Sequence, residues 1–154
     1  MGKKVAYVTG GMGGIGTAIC QRMHKEGFTV VAGCGPTRNF GKWLGEQKAQ
    51  NYEFHASVGN VGDWSSTVDA FSKAKAEHGA IDVLVNNAGI TRDRMFLKMS
   101  REDWDAVIGT NLTSMFNVTK DCVQILKRLE TPSSAKSPTP FSSLRRVPIH
   151  VHKR

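Results

Sequence analysis

Short, continuous apolar runs alternate along this chain with longer stretches in which apolar residues return every three or four positions. Tyr52–Ser57 is a further strand candidate, and the runs at Val5–Thr9, Thr29–Ala32 and Ile81–Val85 are rich in β-branched residues and end in glycine or polar residues. Such runs predict strands buried on both faces. The last is broken only by Asp82 and runs into Asn86. Helical periodicity predicts helices over Ile15–Glu26, closed by Gly27, and over Phe40–Gln50, weakened by Gly41 and Gly45. It predicts a third over Trp64–Glu77, closed by Gly79. Ser100 followed by Asp103 resembles a helix-starting cap, opening a long helix to about Leu129. Trp43, Trp64 and Trp104 fall within these periods and are expected to pack.

Strands alternating with helices at this spacing predict an α/β fold of parallel βαβ units, a Rossmann-type doubly wound sheet that stops after about four strands. In such sheets a ligand lies beyond the carboxyl ends of the strands. That places residues 10–16, 33–38, 59–61 and 87–90 on one rim.

Beyond Glu130 the periodicity ends. Residues 131–154 hold four of the five prolines, many serines and no sustained helical or strand pattern. The chain is therefore read as a partial Rossmann domain, 1–130, followed by a basic Pro/Ser-rich tail expected to be disordered. Charge follows the same division. From Lys127 onward seven basic residues face one acid, which accounts for +6 of the formal +8. The body is almost neutral, so a nucleic-acid partner is not expected. No apolar run approaches the ~18 residues of a membrane span, and only Val5–Val8 follow Lys3 and Lys4, so neither a membrane partner nor a leader is expected and the cytoplasm is the expected location. Cys20, Cys34 and Cys122 are odd in number and lie near apolar neighbours, which predicts reduced packing thiols. His150 and His152 lack nearby Cys or carboxylate partners, and no metal site is expected.

The chemistry concentrates at Thr9–Gly16, the run TGGMGGIG between the first strand and the first helix. Glycines let the backbone turn sharply and approach a diphosphate, while the helix that follows offers free N–H groups to it. An NAD site usually carries an acid at the end of the second strand to hold the ribose 2′-hydroxyl. Between Glu26 and Glu46 there is none; Arg38 and Lys42 stand there instead, which points to a 2′-phosphate and so to NADP(H).

TGGMGGIG and Asn86-Asn87-Ala88-Gly89 resemble the TGxxxGxG and NNAG motifs of the short-chain dehydrogenase/reductases, and Asn111 matches the catalytic-support asparagine of that family. Within it, AYVTGGMGGIGTAICQR, VVAGCGP, NNAGITRD and the stretch around TNLTS are similar to acetoacetyl-CoA reductases of polyhydroxybutyrate synthesis. The 3-oxoacyl-carrier-protein reductases come next. The likeness covers residues 3–120, the first half of a family domain. It implies NADPH-dependent reduction of a 3-oxoacyl thioester, an acyl-CoA, to its 3-hydroxy form. It also implies a cofactor site of Gly10, Gly11, Met12, Gly13, Gly14, Ile15, Gly16, Arg38, Gly59, Asn60, Val61, Asn87, Ala88 and Gly89. Asn60 replaces a common Asp near the adenine ring. Asn111 would hold a water in a proton relay, and Asp93 would lie near the thioester. The family reaction uses a Tyr general acid, a Lys four residues on and a Ser. Here Tyr7 is followed at that distance by Gly11 and Tyr52 by Ala56, and no strand carries the Ser. Little or no turnover is therefore expected of these 154 residues, with a non-catalytic dinucleotide-binding or interaction module as the alternative. An exposed fourth-strand edge and doubtful homo-oligomer formation follow from the same reading.

Overall fold

The computed structural model describes residues 3–127. Four parallel strands, β1 (Val5–Val8), β2 (Thr29–Cys34), β3 (His55–Val58) and β4 (Ile81–Val85), form one sheet in the order β3-β2-β1-β4. Helices α1 (Gly14–Lys25), α2 (Phe40–Lys48) and α3 (Trp64–His78) connect them. After β4 come a 3-10 turn (Phe96–Lys98), α4 (Arg101–Ile108), a wide π turn (Gly109–Thr113) and α5 (Ser114–Lys127). The expected doubly wound architecture is present. The tail from 131 lies outside the described residues, with His150, His152 and the cations of that segment.

Alternation along the strands sorts side chains into two cores. Val5, Tyr7 and Val31 pack with Phe71 and Ala74 of α3 and with Val118 and Cys122 of α5. Val8, Val30 and Ala32 face the other way, onto Met12, Cys20 of α1, Trp43 of α2 and Phe54. Helices on both faces explain why β1 is buried throughout.

Local chemistry sets the boundaries. Asn39 accepts from the Lys42 N–H at the start of α2, Asp63 from Ser66 at the start of α3, and Ser100 from Asp103 at the start of α4. Gly27 and Gly79 stand at positive φ (86° and 90°) just past α1 and α3. β2 runs two residues beyond its predicted end because Gly33 and Cys34 pair with Ser57 and Val58 of β3, and Gly33 lies against Tyr7, where a Cβ would sit 3.1 Å from the ring. Asp82, the polar residue within β4, occupies a bulge. Val5 pairs with Ile81 and Ala6 with Val83, and the Asp82 carboxylate accepts the Val5 N–H at 2.8 Å.

Two expectations need correction. The single long helix is interrupted by the π turn at Gly109–Thr113, where Asn111 turns both ends of its amide to the backbone of Ile90. Of the three tryptophans only Trp43 is core; Trp64 and Trp104 are 40% and 48% exposed. Trp64 lies beside Phe116 of α5, and Phe116, Met115 of α5 and Leu112 of the π turn are also exposed. All three cysteines are free and buried.

Candidate functional site

β1 ends at the middle of the sheet, where the strand order reverses, so the loops after β1 and β4 diverge to opposite faces and leave a crevice between them. Thr9 ties those loops together. Its N–H donates to the Val85 carbonyl at 3.0 Å. Its hydroxyl donates to that same carbonyl and accepts the N–H groups of Asn87 and Ala88 at 2.9 and 3.1 Å. The Asn87 amide donates back to the carbonyls of Thr9 and Gly10 at 3.0 and 3.1 Å. Asn87 and Ala88 of the Asn-Asn-Ala-Gly stretch thereby brace the glycine turn as well as bordering the site.

Close approach explains the glycines. Gly10 has φ +61°, and a Cβ on it would lie 2.9 Å from the Ala88 Cα. A Cβ on Gly16 would fall 2.1 Å from the Gly10 carbonyl oxygen, an impossible contact. Gly13 precedes α1 with no side-chain cap, so the first N–H groups of the helix open into the crevice. An anion bound there needs no cationic side chain.

The crevice has two connected parts. The wider, of ≈580 Å³, runs along the glycine turn past Gly33–Gly35 to Arg38, with Asn87–Ile90 opposite. The narrower, of ≈270 Å³, continues between Gly33–Gly35 and Gly59–Val61, over Tyr7, Ala70 and Phe71. Among the expected cofactor residues, Gly10, Met12, Gly13, Gly14, Ile15, Gly16, Arg38, Asn87, Ala88 and Gly89 border the first part. Gly59, Asn60 and Val61 border the second. Gly11 does not border it. Its N–H is taken by the Gly33 carbonyl at 2.9 Å, and a Cβ there would meet the Ala32 Cβ at 2.9 Å. That glycine serves strand–loop packing. Met12 buries its side chain in the core beneath the turn.

Arg38 reaches across the mouth of the crevice and donates to the Met12 carbonyl at 2.7 Å. Lys42, the other cation expected there, turns toward Glu46 at 3.9 Å and borders neither space. Cys34 lines both parts. Burial pushes its thiol pKa up, and the Arg38 guanidinium partly counters this. Tyr7 forms the floor of the narrow part and donates to the Ser57 hydroxyl at 2.9 Å. Burial raises its pKa to about 12, with the Ser57 bond pulling the other way, so the phenol keeps its proton near neutrality and spends it on Ser57.

Asn111 lies at the far end. Its Oδ1 accepts the Ile90 N–H at 2.8 Å and its Nδ2 donates to the Ile90 carbonyl at 2.9 Å, bracing the loop beside Gly89. Asp93 stands exposed between Arg92 and Arg94, both of which pair with Asp103 at 3.8 and 2.6 Å. It borders neither space. Gly35 and Ile90 line the crevice within the rim stretches that the sequence predicted. Sequence reading gave Thr9 no bracing role, although it stood in the motif itself, and passed over Thr110, which lies on the π turn and carries no local signal.

The chain is 65% identical over 124 residues to an acetoacetyl-CoA reductase of Cupriavidus necator, covering 80% of this chain and 50% of that one. It is 51% identical to nodulation protein G of Azospirillum brasilense, over 78% of this chain and 49% of that protein. Against a 3-oxoacyl-[acyl-carrier-protein] reductase of Thermotoga maritima the identity is 42%, over 76% and 48%. The chain thus spans about half the length of the curated relatives it matches. A blue fluorescent protein from a metagenomic library, solved in complex with NADPH, superposes with a TM-score of 0.70 at 27% identity, over 80% of this chain and 51% of that one. The sequence model of the short chain dehydrogenases matches residues 4–134, and with the fold and the braced glycine turn this makes the chain a member of the short-chain dehydrogenase/reductase family.

Proposed function

We propose that this chain holds NADP(H) along the crevice, and that it derives from a reductase acting on a 3-oxoacyl thioester, acetoacetyl-CoA. The observation that carries the cofactor choice is Arg38, placed at the crevice mouth by its bond to Met12, with no acid at the end of β2. The N–H groups opening α1 would hold the diphosphate, Arg38 the 2′-phosphate, and Gly59–Val61 the base. The bound dinucleotide would supply a hydride. The chain's own residues shape and brace its berth: Thr9 and Asn87 lock the turn, and Asn111 holds Ile90 in place.

The thioester reading rests on the 65% identity to the Cupriavidus necator enzyme. A proton donor is the missing part. These 154 residues contain no Tyr followed four positions later by Lys, and Tyr7 is held in a buried bond to Ser57. The expected activity of this polypeptide is therefore cofactor binding with little or no turnover. The second reading, a dinucleotide-binding or interaction module, is favoured by β4, which among the described residues pairs only with β1 and has no strand on its other edge.

Calorimetric titration with NADPH and NADH, followed by NADPH oxidation with acetoacetyl-CoA, tests both parts. Tighter NADPH binding without oxidation is the expected result. Tighter NADH binding would sink the cofactor choice, and turnover at enzymatic rates would show that another group delivers the proton.

A further inference from the structure

The last turn of α3 lies against the start of β3, the outer strand of the described sheet on the side away from β4. Alternation along β3 turns His55 and Ser57 to the same face. The Ser57 hydroxyl donates to the Ala70 carbonyl, so that face is the one α3 covers. His55 thereby meets His78, the final residue of α3, with ring centroids 4.2 Å apart and planes tilted by 37°. The His78 side chain is only 13% exposed. The two ends of α3 are held differently. At the first turn Asp63 caps the Ser66 N–H, the Ser66 hydroxyl accepts the Asn60 N–H, and the Thr67 hydroxyl donates to the Asp63 carbonyl. At the last turn Gly79 returns its N–H to Lys75 within the helix. Beyond the core contacts of Phe71 and Ala74, the ring pair joins this end to the sheet among the described residues.

Neutral imidazoles can stack at this distance, whereas two imidazolium rings repel and burial disfavours their charge. Few other charges face the pair. On α3 the Glu77 carboxylate lies 3.5 Å from His78 Nε2 and is itself mostly exposed, Lys73 is exposed, and the Lys75 ammonium acts on Asp121 of α5. β2, which pairs with β3, has no ionisable residue before Cys34 at its far end, Glu53 stands exposed ahead of β3, and α2 covers the opposite face. We propose that His55 and His78 form a proton-operated latch, which holds the last turn of α3 on β3 at neutral pH and releases it in mild acid. Burial first, and His55 second, lower the His78 pKa, and Glu77 only partly counters them. The contribution of the neutral pair is therefore fully present above the ordinary imidazole value of ~6.5 and is lost as pH falls through the lowered one. Asp121 acts in the opposite sense, its buried carboxyl favouring the fold when protonated, so the latch has to be read locally. It does not depend on what the crevice holds.

Hydrogen exchange of the 154-residue chain, followed by NMR and corrected for the intrinsic effect of pH on exchange, reads the latch. Between about pH 7.5 and about pH 5.5, the amides of residues 75–79 should lose about tenfold or more in protection relative to those of β1, one pKa unit being a factor of ten. In His55→Gln, whose amide takes up no proton, that loss should shrink to about twofold, and the His78 titration midpoint should move up toward the ordinary value. His78→Gln should shrink the loss in the same way. An equal loss in the unaltered chain and in both variants overturns the proposal. So does protection at 75–79 and in β1 falling in step, which would mean that acid acts on the whole fold. The unaltered chain alone decides that second point, so the proposal stays open to refutation even if neither variant folds.

Discussion

The two loops that meet at the switch point belong to halves of the sheet with different physical character. Around β1 and β2, strands have neighbours on both sides, and the glycine turn is held by the bonds of Thr9 and Asn87 and by glycine contacts that admit no Cβ. At β4 the sheet of the described residues ends. Val83, Leu84 and Val85 are only partly buried, and beyond them Met95, Phe96 and Leu97 are 67%, 78% and 91% exposed. On α5, Phe116 stands 61% exposed beside Trp64, with the Lys120 ammonium over both rings. Asp121 on the same helix has a buried carboxylate oxygen with no hydrogen-bond partner among the described residues. Rigidity for cofactor binding is concentrated in the first region, and the second belongs to the low-stability end of the molecule.

The sharpest way to break this contrast is Gly16→Ala. Its methyl would fall 2.1 Å from the Gly10 oxygen, so the turn must open. We expect a loss of about 3 kcal/mol in urea unfolding and no measurable NADPH binding. Gly14→Ala, where a Cβ meets nothing within 4 Å, should leave both within error. Equal effects at the two positions would remove the steric account of the turn.

Arg38→Ala comes next. Losing a charge-assisted contact should weaken NADPH binding by about tenfold or more while NADH binding holds. A parallel loss for both cofactors would mean that Arg38 acts through the Met12 carbonyl, by shaping the loop.

In the weaker region Asp121 offers a pH test. Burial raises its pKa above the ordinary carboxylate range, and Lys75 only partly counters this. The fold therefore favours the protonated acid. That contribution is fully present below the ordinary carboxylate pKa and is lost as pH rises through the raised value. Asp121→Asn should be more stable than the unaltered chain by about 1 kcal/mol at neutral pH, with the gap closing toward pH ~4. Urea midpoints across that range measure it, and a gap independent of pH would contradict the burial argument. The smallest effect is expected from Phe116→Ser: stability within about 0.5 kcal/mol, but less self-association by sedimentation, because only an exposed ring is removed.

Much of this was legible in the chain because it depends on neighbours in sequence. β4 begins and ends where its apolar run does, and the caps at Ser100, Gly27 and Gly79 stand where residue type placed them. The glycine turn and Arg38 could be read for the same reason, since a turn and the helix after it are local structure. Asp82 read as a flaw in a strand until the bulge supplied a distant N–H for it. Gly11 read as a ligand contact and proved to be a packing contact with Ala32. Trp64 and Trp104 have the spacing of core residues, but what covers a helix face is decided by other elements.

By itself, then, the sequence determined the alternation of strands and helices, the parallel sheet and the residue types offered to a dinucleotide, since these follow from periodicity, backbone freedom and charge. Tertiary structure alone decided which glycines face the crevice and that Thr9 and Asn87 brace it. It also decided that Asn111 spends its amide on Ile90 through a π turn. Each of these is a contact between segments far apart in the chain, fixed by the order in which the strands pair.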